Sequence, residues 1–298
     1  MDVIPSGAIL GATVTGIDVS QPLTDAEFGG VLAALGRYGV VRFPDQHLES
    51  ADLRAFSERF GEIQTSISRR NSGDPCPEVG ILSNKKEGGS YIGAPDAGQG
   101  WHTDMSYRDV MGFVNVLYGI TIPRRDGKPL GGTEFANMHA AYDELPDDLK
   151  TRLADATVVH DFEKFWEMMR REKASQRPAL TAEQKALRPP VVHPLFLTHP
   201  LTGRKVLYCN PGYAMRINGM EPEESDRLLE FFFAHQLQPK YRYTHIWTEN
   251  DLLVWEHLGT IHQAIADYTP DEIRLIKRCQ VMATKVFEPE FRTLAMAA

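Results

Sequence analysis

The chain has 298 residues, 42% of them hydrophobic and 24% charged, with a formal net charge of −8. That mix suits a soluble globular protein and excludes a disordered one; the acidic balance excludes a nucleic-acid binder built on a strongly basic face. Three cysteines, Cys76, Cys209 and Cys279, lie far apart with no CxxC pair, which argues against a disulfide framework or a cysteine-rich zinc site and for a reducing cytoplasm. No window approaches the ~18 uninterrupted apolar residues of a membrane span. The opening MDVIPSGAILGA lacks the basic and long apolar regions of a signal peptide. A chain of this length buries enough surface to fold without a staple.

Ala12–Val19 is β-rich, and Thr24-Asp-Ala-Glu27 is a capping-box opening to a helix. Gly39–Phe43 reads as a short strand. Ser50–Phe60 follows as an amphipathic helix with Leu53, Phe56 and Phe60 at helical spacing, stopped by Gly61. Lys85–Gly100 (KKEGGSYIGAPDAGQG) is too rich in glycine for a helix or a central strand, and reads as an exposed loop or a lid. Phe113–Ile122 is β-like; Met138–Leu145, Asp147–Ala154 and Phe162–Ser175 read as helices. A polar segment bracketed by Pro178 and Pro189-Pro190 reads as an insertion, so that a helical insertion covers about 162–190. The remainder alternates strand-like pieces (191–199, 205–209, 241–247, 252–256, 278–286) with one helix, Glu221–Gln236. This pattern predicts one domain over residues 1–298, mainly antiparallel β in a barrel or sandwich with helices at its margins. No GxGxxG or GxxxxGK[ST] is present.

Trp101-His102-Thr103-Asp104 places an imidazole and a carboxylate two residues apart. On a strand both would share a face, two thirds of the facial triad that holds non-haem Fe(II) with open positions. His-X-Asp alone is a short motif that chance readily supplies. His262 lies far downstream in Trp255-Glu-His-Leu-Gly-Thr-Ile-His262, followed by Arg274 and Arg278, four residues apart. A guanidinium grips a carboxylate bidentately and stays charged at any relevant pH.

HTD, a histidine about 150 residues later, and two arginines beyond it resemble the Fe(II)/2-oxoglutarate-dependent dioxygenases of the taurine dioxygenase and 2,4-dichlorophenoxyacetate dioxygenase (TauD/TfdA) family. The likeness extends through GATVTGIDVSQPLTDAEF, VVRFPDQHLESADLRAFSERFGEI, the GGT at Gly131–Thr133, and HPLFLTHPLTGRKVLYCNPGYAMRINGM. It implies a double-stranded β-helix (jelly roll). It also implies iron ligation by His102, Asp104 and His262, 2-oxoglutarate held by Thr133 and Arg274, and Arg278 facing the co-substrate or an anionic substrate. The cofactors implied are Fe(2+), 2-oxoglutarate and O2. Oxidative decarboxylation to succinate and CO2 would accompany hydroxylation of a small anionic molecule, with fragmentation where the attacked carbon bears a sulfonate or an ether oxygen. Relatives of this kind are often dimers or tetramers.

The substrate side departs from taurine dioxygenase. Ser66 and Arg69 stand where that enzyme has a histidine and a tyrosine, AGQG precedes Trp101, and Trp255-Glu256-His257 replaces Trp-Asp-Asn. These changes argue against taurine. Phe162 matches a pocket aromatic, His160 and His257 are further histidines that could crowd the site, and Arg69, Arg70 and Arg108 could recognise an anion. A metal-dependent hydrolase using the same three ligands is the alternative; it has no need of an arginine clamp beside its metal.

Overall fold

The computed structural model describes residues 1–64, 75–173, 175 and 178–296. Strands β1 (Asp2–Pro5) and β2 (Ala12–Thr15) form a hairpin. Thr24 then caps helix α1 (Asp25–Tyr38): its hydroxyl accepts from the Glu27 amide while the Glu27 carboxylate accepts from the Thr24 amide. Such a reciprocal cap contributes about 1 kcal/mol. After α1 come β3 (Val40–Phe43), α2 (Ser50–Glu58), β4 (Gly80–Ser83), a small hairpin of β5 (Lys86–Glu87) and β6 (Ser90–Tyr91), and the long β7 (Gly112–Thr121). A second small hairpin, β8 (Arg124–Arg125) and β9 (Lys128–Pro129), leads to β10 (Thr133–Asn137), α3 (Met138–Asp143), α4 (Asp147–Arg152) and β11 (Thr157–His160). Helices α5 (Phe162–Glu172) and α6 (Ala182–Ala186) follow, then β12 (Val191–Pro194), β13 (Phe196–Thr198), β14 (Lys205–Leu207) and β15 (Ala214–Ile217). Helix α7 (Pro222–Gln236) precedes β16 (Arg242–His245), β17 (Leu252–Glu256), β18 (Thr260–Ala264) and β19 (Leu275–Met282), and α8 (Pro289–Met296) comes last.

Two of the sheets position the site. The larger has seven strands in the order β1-β2-β3-β17-β7-β19-β4, antiparallel except for β2 beside β3. The smaller is β16-β10-β18. Period-two alternation sorts their side chains. On β7, Val114, Val116 and Tyr118 face Phe28, Leu32 and Leu35 of α1, Leu53 and Phe56 of α2, and Phe291 of α8. Leu117 joins Phe135 of β10, Trp247, Trp255 and Ile276 in a separate cluster between the sheets. β19 follows the same rule: Cys279 and Val281 lie in the helix-facing cluster, while Ile276 lies between the sheets.

The helices are not marginal, as the sequence pattern suggested. They hold almost as many of the described residues as the strands do, and α1, α2 and α8 cover one whole face of the large sheet. The cause is that β7 and β17 are buried along almost their whole length, with apolar side chains on both faces, so neither face can be left in water. Among the strands that escape the sequence reading, which include β1, β4, β11 and β15, the two that frame the site are β10 and β18. Each is five residues long, and polar side chains (Thr133, Glu134, Asn137, His262, Gln263) interrupt the apolar alternation.

Of the imidazoles sealed in this interior, His139, His160 and His257 stand out, and none of them is more than 6% exposed. Burial is the largest cause that pushes them down, to about 4, 3 and 4. Each gains a proton near pH 6.5 when the chain unfolds but stays neutral in the folded state until far lower pH. Stability is therefore full above about pH 6.5 and is lost as pH falls toward 4. The Tm of the protein in chelator should drop steeply over that window, with uptake of more than about three protons on unfolding near pH 5, because burial also lowers His193, His245 and His262. A Tm flat from pH 6.5 to 4.5 would contradict this account.

Candidate active site

His102 and His262 are joined through their backbones. The His102 amide donates to the His262 carbonyl at 3.0 Å, and the His262 amide donates to the His102 carbonyl at 2.9 Å. This single antiparallel bridge lies outside the named ladders and holds the two rings 4.3 Å apart between centroids. His262 is the third residue of β18, opposite Phe135 of β10. Asp104 reaches the pair in a way the sequence did not anticipate. The chain turns immediately after His102, with Met105 at φ 61°, so a turn and not strand alternation brings the carboxylate round.

The Nε2 atoms of His102 and His262 stand 3.3 and 3.8 Å from the two oxygens of Asp104, and none of the three residues is more than 8% exposed. The Nδ1 of His102 lies 2.8 Å from the Gly100 carbonyl. A carbonyl can only accept, so Nδ1 carries the proton and Nε2 presents its lone pair toward Asp104. Asn115 donates through Nδ2 to Asp104 Oδ2 at 2.7 Å, and Arg278 Nη1 is 3.7 Å from the same oxygen. Burial opposes ionisation of Asp104, yet His102, Arg278 and His262 together outweigh it and hold the carboxyl well below its usual range. Burial, reinforced by His102, pushes the His262 imidazole well below 6.5. The site brings together two imidazoles and one carboxylate, the donor set that suits a non-haem Fe(II) with positions left open.

A second group lies further along the two sheets. Thr133 pairs with Ala264, two residues beyond His262, and its hydroxyl accepts from the Trp247 indole N–H at 3.1 Å. That contact leaves the hydroxyl proton of Thr133 free to donate elsewhere. Arg274 is 6% exposed, and its Nε donates to the Gly131 carbonyl at 3.2 Å. Gly131, at φ 71°, has no room for a side chain, because a Cβ there would sit 2.8 Å from the Arg274 side chain. Among the described residues no carboxylate forms an ion pair with Arg274; Tyr268 and Asp267 act on it only through the field, and burial lowers its pKa. A buried cation without an anion is costly.

Aromatic side chains form a wall beside His102. Phe165 lies 4.7 Å and Tyr213 6.2 Å from its ring. Tyr107 continues the wall at 4.8 Å from Tyr213 and 4.7 Å from Phe162, and the Arg188 guanidinium lies 4.6 Å over the Phe162 ring. Burial and the Asp104 charge push the Tyr107 phenol up to about 12. Phe162 stands at the far end of this wall, linked to His102 through Tyr107 and Tyr213. Ser66, Arg69 and Arg70 lie outside the described residues. His160 does not crowd the ligands: its Nδ1 faces the Ser106 hydroxyl at 3.1 Å. His257 lies nearer, 6.0 Å from the His262 ring, with no partner on either nitrogen. Arg108 is exposed; its carbonyl faces His193, its amide donates to the Met105 carbonyl, and its charge reaches Tyr107 through the field. The 85–100 segment returns along β4 through Ser83 and Ala94 and reaches β18, where the Ala264 amide donates to Gly98. Asn115, Tyr107, Phe165 and Tyr213 were missed in the sequence. Asn115 alone gave a signal, as the one amide inside the apolar run FVNVLYGI.

Comparison with known proteins bears directly on this arrangement. Residues 2–280 match the family model described as "Taurine catabolism dioxygenase TauD, TfdA family". The chain is 32% identical to pentalenolactone F synthase of Streptomyces arenae, over 93% of this chain and 94% of that protein. It is 31% identical to the (S)-phenoxypropionate/alpha-ketoglutarate-dioxygenase of Sphingobium herbicidovorans, over 88% of each. The crystal structure of AAD-2 in complex with Mn(II) and N-oxalylglycine superposes with a TM-score of 0.78 at 27% identity, covering 95% of this chain and 97% of that one. The chain therefore belongs to the TauD/TfdA family and is an Fe(II)- and 2-oxoglutarate-dependent dioxygenase that acts on a small organic molecule.

Proposed function

We propose that His102, Asp104 and His262 hold the Fe(II), that Thr133 and Arg274 hold the distal carboxylate of 2-oxoglutarate, and that Arg278 faces the co-substrate or the substrate. The reaction is hydroxylation of a small, anionic organic molecule with release of succinate and CO2. Where the attacked carbon bears an ether oxygen or a sulfonate, the hydroxylated product fragments. The observation that carries this reading is the convergence of two imidazole Nε2 atoms and one carboxylate at a single buried point, with a second buried arginine that lacks an anion. The two facing sheets support a jelly-roll architecture acting as one unit over the whole chain. The dimer or tetramer remains part of the proposal.

Iron, O2 and the keto acid together supply the oxidising power to break a C–H bond. The chain's own residues supply placement. Arg274 offers a bidentate fork to the keto diacid, and Thr133 adds an O–H donor whose oxygen is fixed by Trp247, so orientation is settled before reaction. Asn115 and Arg278 keep the Asp104 carboxylate from rotating. Phe165 and Tyr213 shield one side of His102 from water. An aromatic wall ending in Arg188 suits a substrate with an apolar body and an acidic end, and the phenoxypropionate in one relative's name is such a molecule.

Two measurements test this. Arg274→Ala should raise the 2-oxoglutarate concentration needed for half-maximal rate by about 30-fold or more, the cost of removing one partner of a buried charged pair, while iron affinity changes less than about twofold; a proportional loss of iron would mean that the arginine is structural. In a screen of organic acids, succinate formation above the uncoupled background should be greatest for aromatic or alicyclic carboxylates, and Phe162→Ala should reduce it for those. A preference for small aliphatic sulfonates, unchanged in Phe162→Ala, would contradict the assignment of the wall.

A further inference from the structure

Beyond the ligands themselves, a buried hydrogen-bonded hub lies where β17 leaves the large sheet and β18 enters the small one. Glu256, the last residue of β17, is 1% exposed. Its carboxylate folds forward onto the corner it precedes. Oε2 accepts from the Leu258 amide at 2.7 Å, and both oxygens accept from the Gly259 amide, at 2.8 and 3.0 Å. Oε2 also faces Nε2 of His199 at 3.2 Å. Nδ1 of that fully buried ring accepts from the Leu201 amide at 3.3 Å, so Nε2 carries the proton and donates to Glu256. His139 completes the group. Its Nδ1 faces the Lys205 carbonyl at 3.1 Å, and its Nε2 has no hydrogen-bond partner.

His139, His199 and Glu256 lie close enough to suggest a cation site. The carboxylate argues otherwise, because four N–H contacts already converge on it. Glu256 and His139 also crowd directly over Gly259, where a Cβ would stand 2.6 Å from Glu256 Oε1 and 2.7 Å from His139 Nε2, so the corner needs glycine there. The same carboxylate determines the path of the chain. The Glu256 amide is tied to the Gly39 carbonyl, its carbonyl accepts from the Thr260 hydroxyl, and the Gly259 carbonyl accepts from the Met138 amide. The corner is thereby fixed to both sheets, and His262 begins two residues beyond it. A carboxylate at position 256 sets the angle at which β18 departs, and with it the distance between His262 and the Asp104 carboxylate, which belongs to a different loop.

We infer that Glu256, anchored by His199, is a positioning residue for His262, holding the corner that sets the approach of this ligand to the metal. The inference rests on the assignment of His262 as a metal ligand. Cobalt(II) binding to the full-length apoprotein tests it, read by visible absorption without any turnover. Groups that orient metal ligands typically account for 10- to 100-fold in affinity. Glu256→Gln keeps the shape but turns an N–H toward the corner amides or His199, and should weaken Co(II) binding by about 10-fold; Glu256→Ala should weaken it by up to about 100-fold. His199→Ala leaves the two amide contacts in place and should weaken it by about three- to tenfold; it serves as the reading if neither Glu256 variant folds. Leu32→Ala, a truncation on α1 far along the chain, should lower Tm while changing Co(II) affinity less than about twofold. Folded Glu256 and His199 variants that bind like wild type overturn the inference, and so does Leu32→Ala weakening binding as much as they do. A wild type that takes up no Co(II) overturns the ligand assignment and this inference with it.

Discussion

Two hydrogen bonds between His102 and His262 unite parts of the chain 160 residues apart. They belong to no extended ladder, so nothing on either side enforces them by register. They persist because β18 is fixed against β10 and because the loop around Gly98 is fixed against Ala264. Once the backbones are paired, the imidazoles have little freedom. One ring stacks near Phe165, the other near Phe135 and Trp255. The remaining ligand then needs only a turn after His102 to bring its carboxylate within reach of both.

Electrostatics make this arrangement costly without a cation. Asp104 is buried and ionised, close to the His262 imidazole that burial keeps neutral, and Arg278 only partly offsets its charge. At the other end Arg274 is a buried cation without a paired anion. The molecule thus buries a carboxylate that is only partly compensated and, among the described residues, an arginine with no ion-pair partner. In the proposed assignment a divalent cation satisfies the first and a diacid the second. Binding there relieves a desolvation cost already met during folding, so the site is oriented in advance of its ligands.

The helix-capping signals, the amphipathic helix at Ser50, the helix at Glu221 and the strand at Leu252 were legible because each rests on a local pattern: a capping box, a 3.6 period, an unbroken apolar run. The convergence of His102, Asp104 and His262 was foreshadowed for another reason, by imidazole and carboxylate at distinctive spacings. What escaped depends on contacts distant in sequence. Strands β10 and β18 lack strong alternation, since one side of each faces a polar cleft. The helix layer over the large sheet was read as marginal because the outward apolarity of the strands shows only when their order is known. The aromatic wall joins a turn, a helix and a loop, from Tyr107 through Phe165 to Tyr213, which no periodicity connects.

The central claim is that His102, Asp104 and His262 meet at one ferrous ion beside a chelated keto acid. Anaerobic titration of the protein with Fe(II) and 2-oxoglutarate tests it most directly, because a bidentate keto acid on this ion gives a weak charge-transfer band in the visible. The account predicts that band at one equivalent of iron in wild type and its loss in His102→Ala. No band in wild type, or an undiminished one in His102→Ala, would contradict it.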